Sequence, residues 1–287
     1  MSSATGRREF LKRSALFAAA ADSLRAAAHA APGELPTIRL GNLEVSRLLL
    51  GSNPFFGFAH KKDDTGRRMR EYYTGEQIMA VLDEAAGHGI SAVWTPCYDH
   101  WIALWNTYRE RGGKLKIWIG QPDPKAEEDM KPAITACFRN GGRAVCIQGE
   151  RIDGQVRQGR WNVVRGWVEH IKSLGMPAGI ASHLPTTHLM AEERGIPTDF
   201  YHQCVYQPEN YGRDCWDLAM ETIRRLDKPV VAYKVLAAGR VEPAQAFPEL
   251  WRNLKPKDGL CVGIFPKDKP EQVAEDTSLV RQLSARA

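Results

Sequence analysis

Pro177-Ala178-Gly179-Ile180-Ala181-Ser182-His183-Leu184-Pro185 and, after a short helical segment, Tyr201-His202-Gln203-Cys204-Val205-Tyr206-Gln207-Pro208-Glu209-Asn210 decide how this chain is expected to fold. Two short apolar runs, Ala178–Ala181 and Cys204–Tyr206, each end abruptly in polar side chains: Ser182 and His183 after the first, Gln207 and Glu209 after the second. A strand that is apolar along its length and opens into hydrogen-bonding groups suits a parallel barrel. Such strands are buried on both faces, and the chemistry collects at their carboxyl ends.

The same grammar recurs along the chain. Further apolar runs stand at Arg47–Gly51, Ile90–Trp94, Leu115–Ile119, Ala144–Ile147, Val230–Tyr233 and Leu260–Ile264. Amphipathic helical segments alternate with them. Thr74-Gly75-Glu76-Gln77 has the form of a capping box, and Ile78, Leu82 and Ala85 place an apolar stripe on the helix it opens. After Ala144–Ile147 and Gln148-Gly149-Glu150 comes a polar loop, and then Val163–Leu174, likewise amphipathic, which stops at Gly175. Ahead of the first unit, Thr37–Leu40 and Leu43–Val45 flank Gly41-Asn42 and predict a small hairpin. Eight successive β–α units in about 257 residues predict an α/β fold, a (β/α)8 TIM barrel with a short N-terminal β-hairpin, over residues 31–287. Ser52–Tyr73, polar and without clear periodicity, reads as a flap over one mouth.

Charge and cysteine content narrow the function classes. Residues 1–30 hold five basic and two acidic residues, so they carry +3 of the net +5 and leave a nearly neutral body. That balance argues against nucleic-acid binding. The six cysteines form no C-x-x-C pair and no zinc-finger spacing, so free core thiols are expected. No dense H-x-H or H-x-x-E spacing occurs, and no metal site is assigned, although His100, Glu150 and His183 stand near strand ends.

Gly6-Arg7-Arg8-Glu9-Phe10-Leu11-Lys12 closely resembles the twin-arginine export signal. A modest apolar stretch, Ser14–Ala21, and the A-x-A run Ala28-His29-Ala30 follow it. Asp22 and Arg25 make the stretch too short and too charged to span a bilayer. The expectation is a signal peptide over 1–30, the twin-arginine translocation machinery as a transient partner, a periplasmic or otherwise exported destination, and no stable membrane insertion.

Arg39-Leu40-Gly41, Glu44-Val45-Ser46-Arg47-Leu48-Leu49-Leu50-Gly51, Gly89-Ile90, Gly179-Ile180-Ala181-Ser182-His183, Gln207-Pro208-Glu209-Asn210, Val231-Ala232-Tyr233 with Leu236-Ala237-Ala238-Gly239, and Gly263 with Lys269-Pro270-Glu271-Gln272 resemble, in that order, the landmarks of the aldo/keto reductase superfamily. The resemblance covers Thr37–Leu283. It implies an NADP(H)-binding oxidoreductase, with Ser182, Gln207 and Tyr233 around the nicotinamide and Lys267 and Lys269 toward a phosphate. His183 stands where the family has a carboxamide-binding asparagine, and Asp276 where it has an adenine-contacting one. The family's catalytic aspartate, tyrosine, lysine and histidine fall on Trp94, Asp99, Gln121 and Gln148. Without the lysine, a tyrosine there lacks the positive field that brings its hydroxyl toward neutral pH.

The resemblance therefore implies a divergent member with its proton chemistry rebuilt around Tyr98, Asp99, His100 and His183. Two other readings of the same residues stay open. One is a cofactor-free or metal-assisted acid/base enzyme, a lyase, epimerase or hydrolase, acting on a sugar-like small molecule. The other is a non-catalytic ligand-binding barrel.

Overall fold

The computed structural model describes residues 35–207 and 209–285. The export signal and its cleavage site fall on residues outside the described ones. Among the described residues there are ten strands. β1 (Thr37–Leu40) and β2 (Leu43–Ser46) form an antiparallel hairpin. The remaining eight are β3 (Leu48–Gly51), β4 (Ala92–Pro96), β5 (Ile117–Gln121), β6 (Ala144–Ile147), β7 (Ala178–Ser182), β8 (Phe200–Cys204), β9 (Val230–Tyr233) and β10 (Gly259–Gly263). They pair in parallel in chain order, and β10 closes on β3, so the expected TIM barrel is the architecture found.

Each barrel strand alternates its side chains between two cores. Leu49, Ala92, Ile119, Ala144, Cys146, Phe200, Val231 and Cys261 point inward and pack on one another. Leu48, Leu50, Val93, Trp118, Val145, Tyr201, Val230 and Leu260 point outward, against the apolar faces of the surrounding helices. The hairpin closes the amino-terminal end of the barrel. Its Ile38, Leu40 and Val45 join the inner core, and Gly41 sits so close to Pro177 and Asp199 that an added Cβ would press on both.

Beside it, Arg47 locks the starts of three strands. Its Nε donates to the Asp258 carbonyl at 2.8 Å, and its guanidinium lies 4.1 Å from the Trp251 ring centroid. The buried Asp258 carboxylate accepts from the Val230 and Lys255 amides at 2.9 and 2.8 Å.

Three expectations are corrected. β8 is Phe200–Cys204 and not Cys204–Tyr206, so His202 and Gln203 lie in the barrel wall. Register decides this: Gly179 pairs with Phe200 and Ser182 with Gln203, and the glycine leaves room for the phenyl ring inside the barrel. The stretch 52–73 is not an aperiodic flap, because it contains a 3-10 turn, Asn53–Phe56, and a helix, Thr65–Tyr72. The loop expected after β6 is largely a helix, Gly149–Arg157, whose first turn is capped by the Gln148 side chain accepting from the Arg151 amide at 3.0 Å. Among the described residues, no helix is long and apolar enough to cross a membrane.

Gly179→Ala tests the inner packing. The added methyl collides with three carbons of the Phe200 ring. We expect a loss of about 1–3 kcal/mol in denaturant unfolding, recovered in part by Gly179→Ala with Phe200→Leu.

Candidate active site

A cavity of about 560 Å³ opens at the carboxyl ends of β3, β9 and β10. Trp94, Tyr233 and Cys261 contribute to its inner lining, and Gly51 and Gly263 leave its wall thin. Any side chain on Gly263 would strike the Pro54 ring, so the glycine lets the chain after β3 fold back across the mouth. Trp94 fills the upper barrel. Its indole N–H donates to the Cys146 carbonyl at 3.4 Å, and its ring meets His202 and Tyr233 edge to face, with centroids 4.3 and 5.4 Å apart. The polar groups are therefore displaced from the barrel axis toward the rim.

Lys234, Tyr211 and His60 meet on that rim. The Lys234 Nζ lies 3.2 Å from the Tyr211 hydroxyl and 3.3 Å from His60 Nε2. His60 Nε2 also faces the Asn53 side-chain amide at 3.1 Å. Two donors on one ring nitrogen make it the acceptor, which leaves the imidazole proton on Nδ1. Arg240 fastens the group: it donates to the His60 carbonyl at 3.1 Å and the Ala237 carbonyl at 2.9 Å, with its guanidinium 4.6 Å from the Tyr211 ring centroid.

The backbone beneath these residues is unusual. Among the described residues, five non-glycine positions have positive φ: His60 (53°), Tyr211 (58°), Lys234 (59°), Ala237 (46°) and Ala238 (57°). All five belong to this rim. A left-handed conformation costs about 1–2 kcal/mol per residue, and such strain gathers where surroundings hold it for function.

Burial lowers the pKa of Lys234, with Cys204 opposing the shift. It lowers His60 to about 4, with Lys234, His183 and Arg240 adding in that order. Burial also raises the Tyr211 hydroxyl.

A second group adjoins the first. Asp153, buried in the helix Gly149–Arg157, accepts from the Ser182 hydroxyl at 2.6 Å and pairs with His183 Nδ1 at 2.8 Å. The carboxylate holds the His183 proton on Nδ1 and leaves Nε2 as the proton acceptor. The His183 and Tyr233 rings are 5.8 Å apart, edge to face. Gly149 keeps the space between them open, since a Cβ there would lie 3.0 Å from the Tyr233 hydroxyl and 3.1 Å from the His183 ring. The Tyr233 hydroxyl is buried and has no partner among the described residues.

The structure thus brings together Ser182, His183 and Tyr233 of the residues singled out from the sequence. Tyr233 lines the cavity, whereas Ser182 and His183 adjoin it from outside the lining, and Tyr98, Asp99 and His100, also outside the lining, lie elsewhere on the mouth. Tyr98 and His100 stack with centroids 5.5 Å apart, both edge-on to Phe56. The Tyr98 hydroxyl donates to Asp123 at 3.4 Å, and Asp123 also binds Arg151 at 2.6 Å. Burial first, and then Asp123, raises the Tyr98 pKa, the direction opposite to that of a readily ionised phenol.

Gln207 uses its backbone carbonyl to accept from the Tyr211 amide at 2.7 Å. Lys267 is exposed, and Lys269 is held between Glu242 at 3.0 Å and Glu275 at 2.8 Å. A nucleotide phosphate at Lys269 would have to displace a carboxylate, and a carboxamide at Ser182 would have to displace Asp153. The nucleotide set implied by the resemblance is therefore not free as it stands. Among the described residues, no group of three or more His, Cys, Asp or Glu side chains is arranged to hold a metal ion.

Lys234, His60, Tyr211 and Asp153 were not singled out from the sequence. A lysine directly after a buried strand was the one available signal.

No protein-family model matches the chain, and no curated protein matches it. Solved structures do. The apo form of Gox0644 aligns with a TM-score of 0.54 at 12% identity, covering 88% of this chain and 94% of that one. A thiamine phosphate pyrophosphorylase from Pyrococcus furiosus aligns with a TM-score of 0.44 at 12% identity, covering 83% and 95%. QR15, an aldolase, aligns with a TM-score of 0.43 at 10% identity, covering 74% and 90%. At these identities the likeness to Gox0644 shows the fold alone.

Three histidines set an acid limit. Burial lowers His60 and His188 to about 4 and His202 to about 3. Below the ordinary value of 6.5, the unfolded chain takes up protons that the folded chain refuses, so stability is lost as pH falls from there toward 4. Asp276, raised by burial to about 8, acts in the opposite sense and partly offsets the loss. We expect denaturant midpoints to drop between pH 6.5 and 4.5, and His202→Phe to make that drop shallower.

Proposed function

We propose that the chain is an acid/base enzyme of the lyase or epimerase type, acting on a small, polar, sugar-like carbonyl compound in the mouth cavity. One observation carries the reading: Lys234, Tyr211 and His60 meet at the cavity on left-handed backbone, with Nζ 3.2 Å from the phenol and 3.3 Å from the imidazole. Lys234 and Tyr211 face the substrate's carbonyl group together, the phenol as a neutral donor to its oxygen. His183 Nε2, oriented by Asp153, is the base for the neighbouring carbon, and the Tyr233 hydroxyl is the acid on the same side. Trp94, Met69 and Phe265 supply the apolar lining that limits water.

Solvent hydrogen exchange tests this. In deuterium oxide, with a panel of aldoses, ketoses and 2-oxo acids, at least one compound should gain deuterium beside its carbonyl. Lys234→Met and Asp153→Asn should each slow that exchange by about 10²–10⁴-fold, with thermal unfolding recorded to show that both variants fold. Undiminished exchange in Lys234→Met would remove the reading.

A second reading is an NADP(H)-dependent oxidoreductase. The resemblance supports it, as does the course of the cavity from Tyr233 past Gly239 to Lys269 and Gln272. On this reading NADPH quenches tryptophan fluorescence saturably, and Glu242→Gln, which removes one of the two carboxylates that hold Lys269, tightens binding. A flat titration for both proteins discards it.

A further inference from the structure

We infer that Lys234 is a covalent catalyst: its Nζ condenses with the aldehyde or ketone carbon of the substrate to form an iminium before any proton moves on carbon. The inference rests on the acid/base reading above and deepens it by naming the bond that holds the substrate.

The surroundings of this amine differ from those of the ion-paired lysines. Lys172, Lys228, Lys255 and Lys269 each pair with a carboxylate. Among the described residues, Lys234 pairs with none, and its Nζ meets only the Tyr211 hydroxyl and His60 Nε2. Those neighbours suit an uncharged amine. The phenol O–H can donate to the nitrogen lone pair, and the imidazole nitrogen can accept one N–H.

The cationic groups on the same rim are Arg240 and Lys61, the latter with its Nζ 3.6 Å from where a Gly239 side chain would begin. Tyr233 and Cys204 approach from the barrel and are themselves held neutral by burial. The lowered Lys234 pKa agrees with this geometry. A desolvated amine beside a phenol presents its lone pair more readily than a solvated lysine does.

The bonds balance without an oxidant or reductant. The amine lone pair attacks the carbonyl carbon, the C–O π pair moves to oxygen, and Tyr211 protonates that oxygen. The nitrogen returns one proton to the Tyr211 oxygen, which restores the phenol and leaves a carbinolamine. Proton uptake from solvent then lets the oxygen leave as water while the nitrogen lone pair forms C=N. The product is a protonated imine, whose positive charge acidifies the neighbouring C–H that faces a base such as His183. Water addition reverses the sequence and releases the substrate.

Reductive trapping tests the inference. The full chain is incubated at about pH 8 with pyruvate or with dihydroxyacetone, reduced with sodium borohydride, and mapped by peptide mass. We expect one reduced adduct, on Lys234, forming about tenfold or more faster than on any other lysine. Tyr211→Phe should slow it by about 10²-fold with unchanged thermal unfolding, and Lys234→Arg should abolish it. Adducts scattered over surface lysines, or none on Lys234 with either probe, overturn the inference. Deuterium exchange into substrate that persists without any adduct overturns the imine alone and leaves the acid/base reading intact. Loss of both overturns both.

Discussion

The pairing of β10 with β3 is the constraint on which the rest of the molecule depends. Leu260, Cys261, Val262 and Gly263 lie in register with Leu48, Leu49, Leu50 and Gly51. An open sheet would leave the polar edges of both strands without partners in a nearly apolar setting. Closing the ring removes both edges. It also joins strands separated by some two hundred residues, and so makes neighbours of the loops that follow β3, β9 and β10. The register ends on two glycines, and that is where the cavity opens. Arg47 secures the opposite end of the same seam by bonding to carbonyls just before β10 and stacking on Trp251.

The inside of the barrel explains why the chemistry lies off-axis. Trp94 occupies the upper barrel, and with His202 and Tyr233 it forms an aromatic layer. Polar groups have no room beneath that layer. They are gathered instead on loops whose backbone is forced into left-handed turns and then pinned by Arg240. The strain and the clamp belong together, because the conformations are unfavourable locally and persist only through hydrogen bonds between loops. Asp153 reaches the same region from a helix, which gives His183 a firmer seat than a loop residue would have.

What could be read from the sequence follows from this division. The strands at 144–147 and 230–233 are legible to the residue because Asn140-Gly141-Gly142 and Pro229 mark where each begins. β8 is misplaced because His202 and Gln203 look like loop residues, and only the space above Gly179 shows that the wall accepts them. The helix Gly149–Arg157 is hidden for a related reason: its buried residues include the polar Asp153 and Gln155, which leaves little of an apolar stripe to read. At the site, Ser182, His183 and Tyr233 can be found by position, since strand ends converge in any closed barrel. His60, Tyr211 and Lys234 cannot, because no spacing rule connects three residues whose meeting depends on the turns of three separate loops.

The hairpin across the amino-terminal end has a kinetic consequence. With Ile38, Leu40 and Val45 pressed into the barrel floor, the described residues form a blind cup, and solvent and any small molecule that enters must leave by the same doorway. Residence in the cup is then governed by the rim loops alone. A large molecule that settled across those loops would hold the contents in as effectively as it kept newcomers out, slowing release and entry by the same factor.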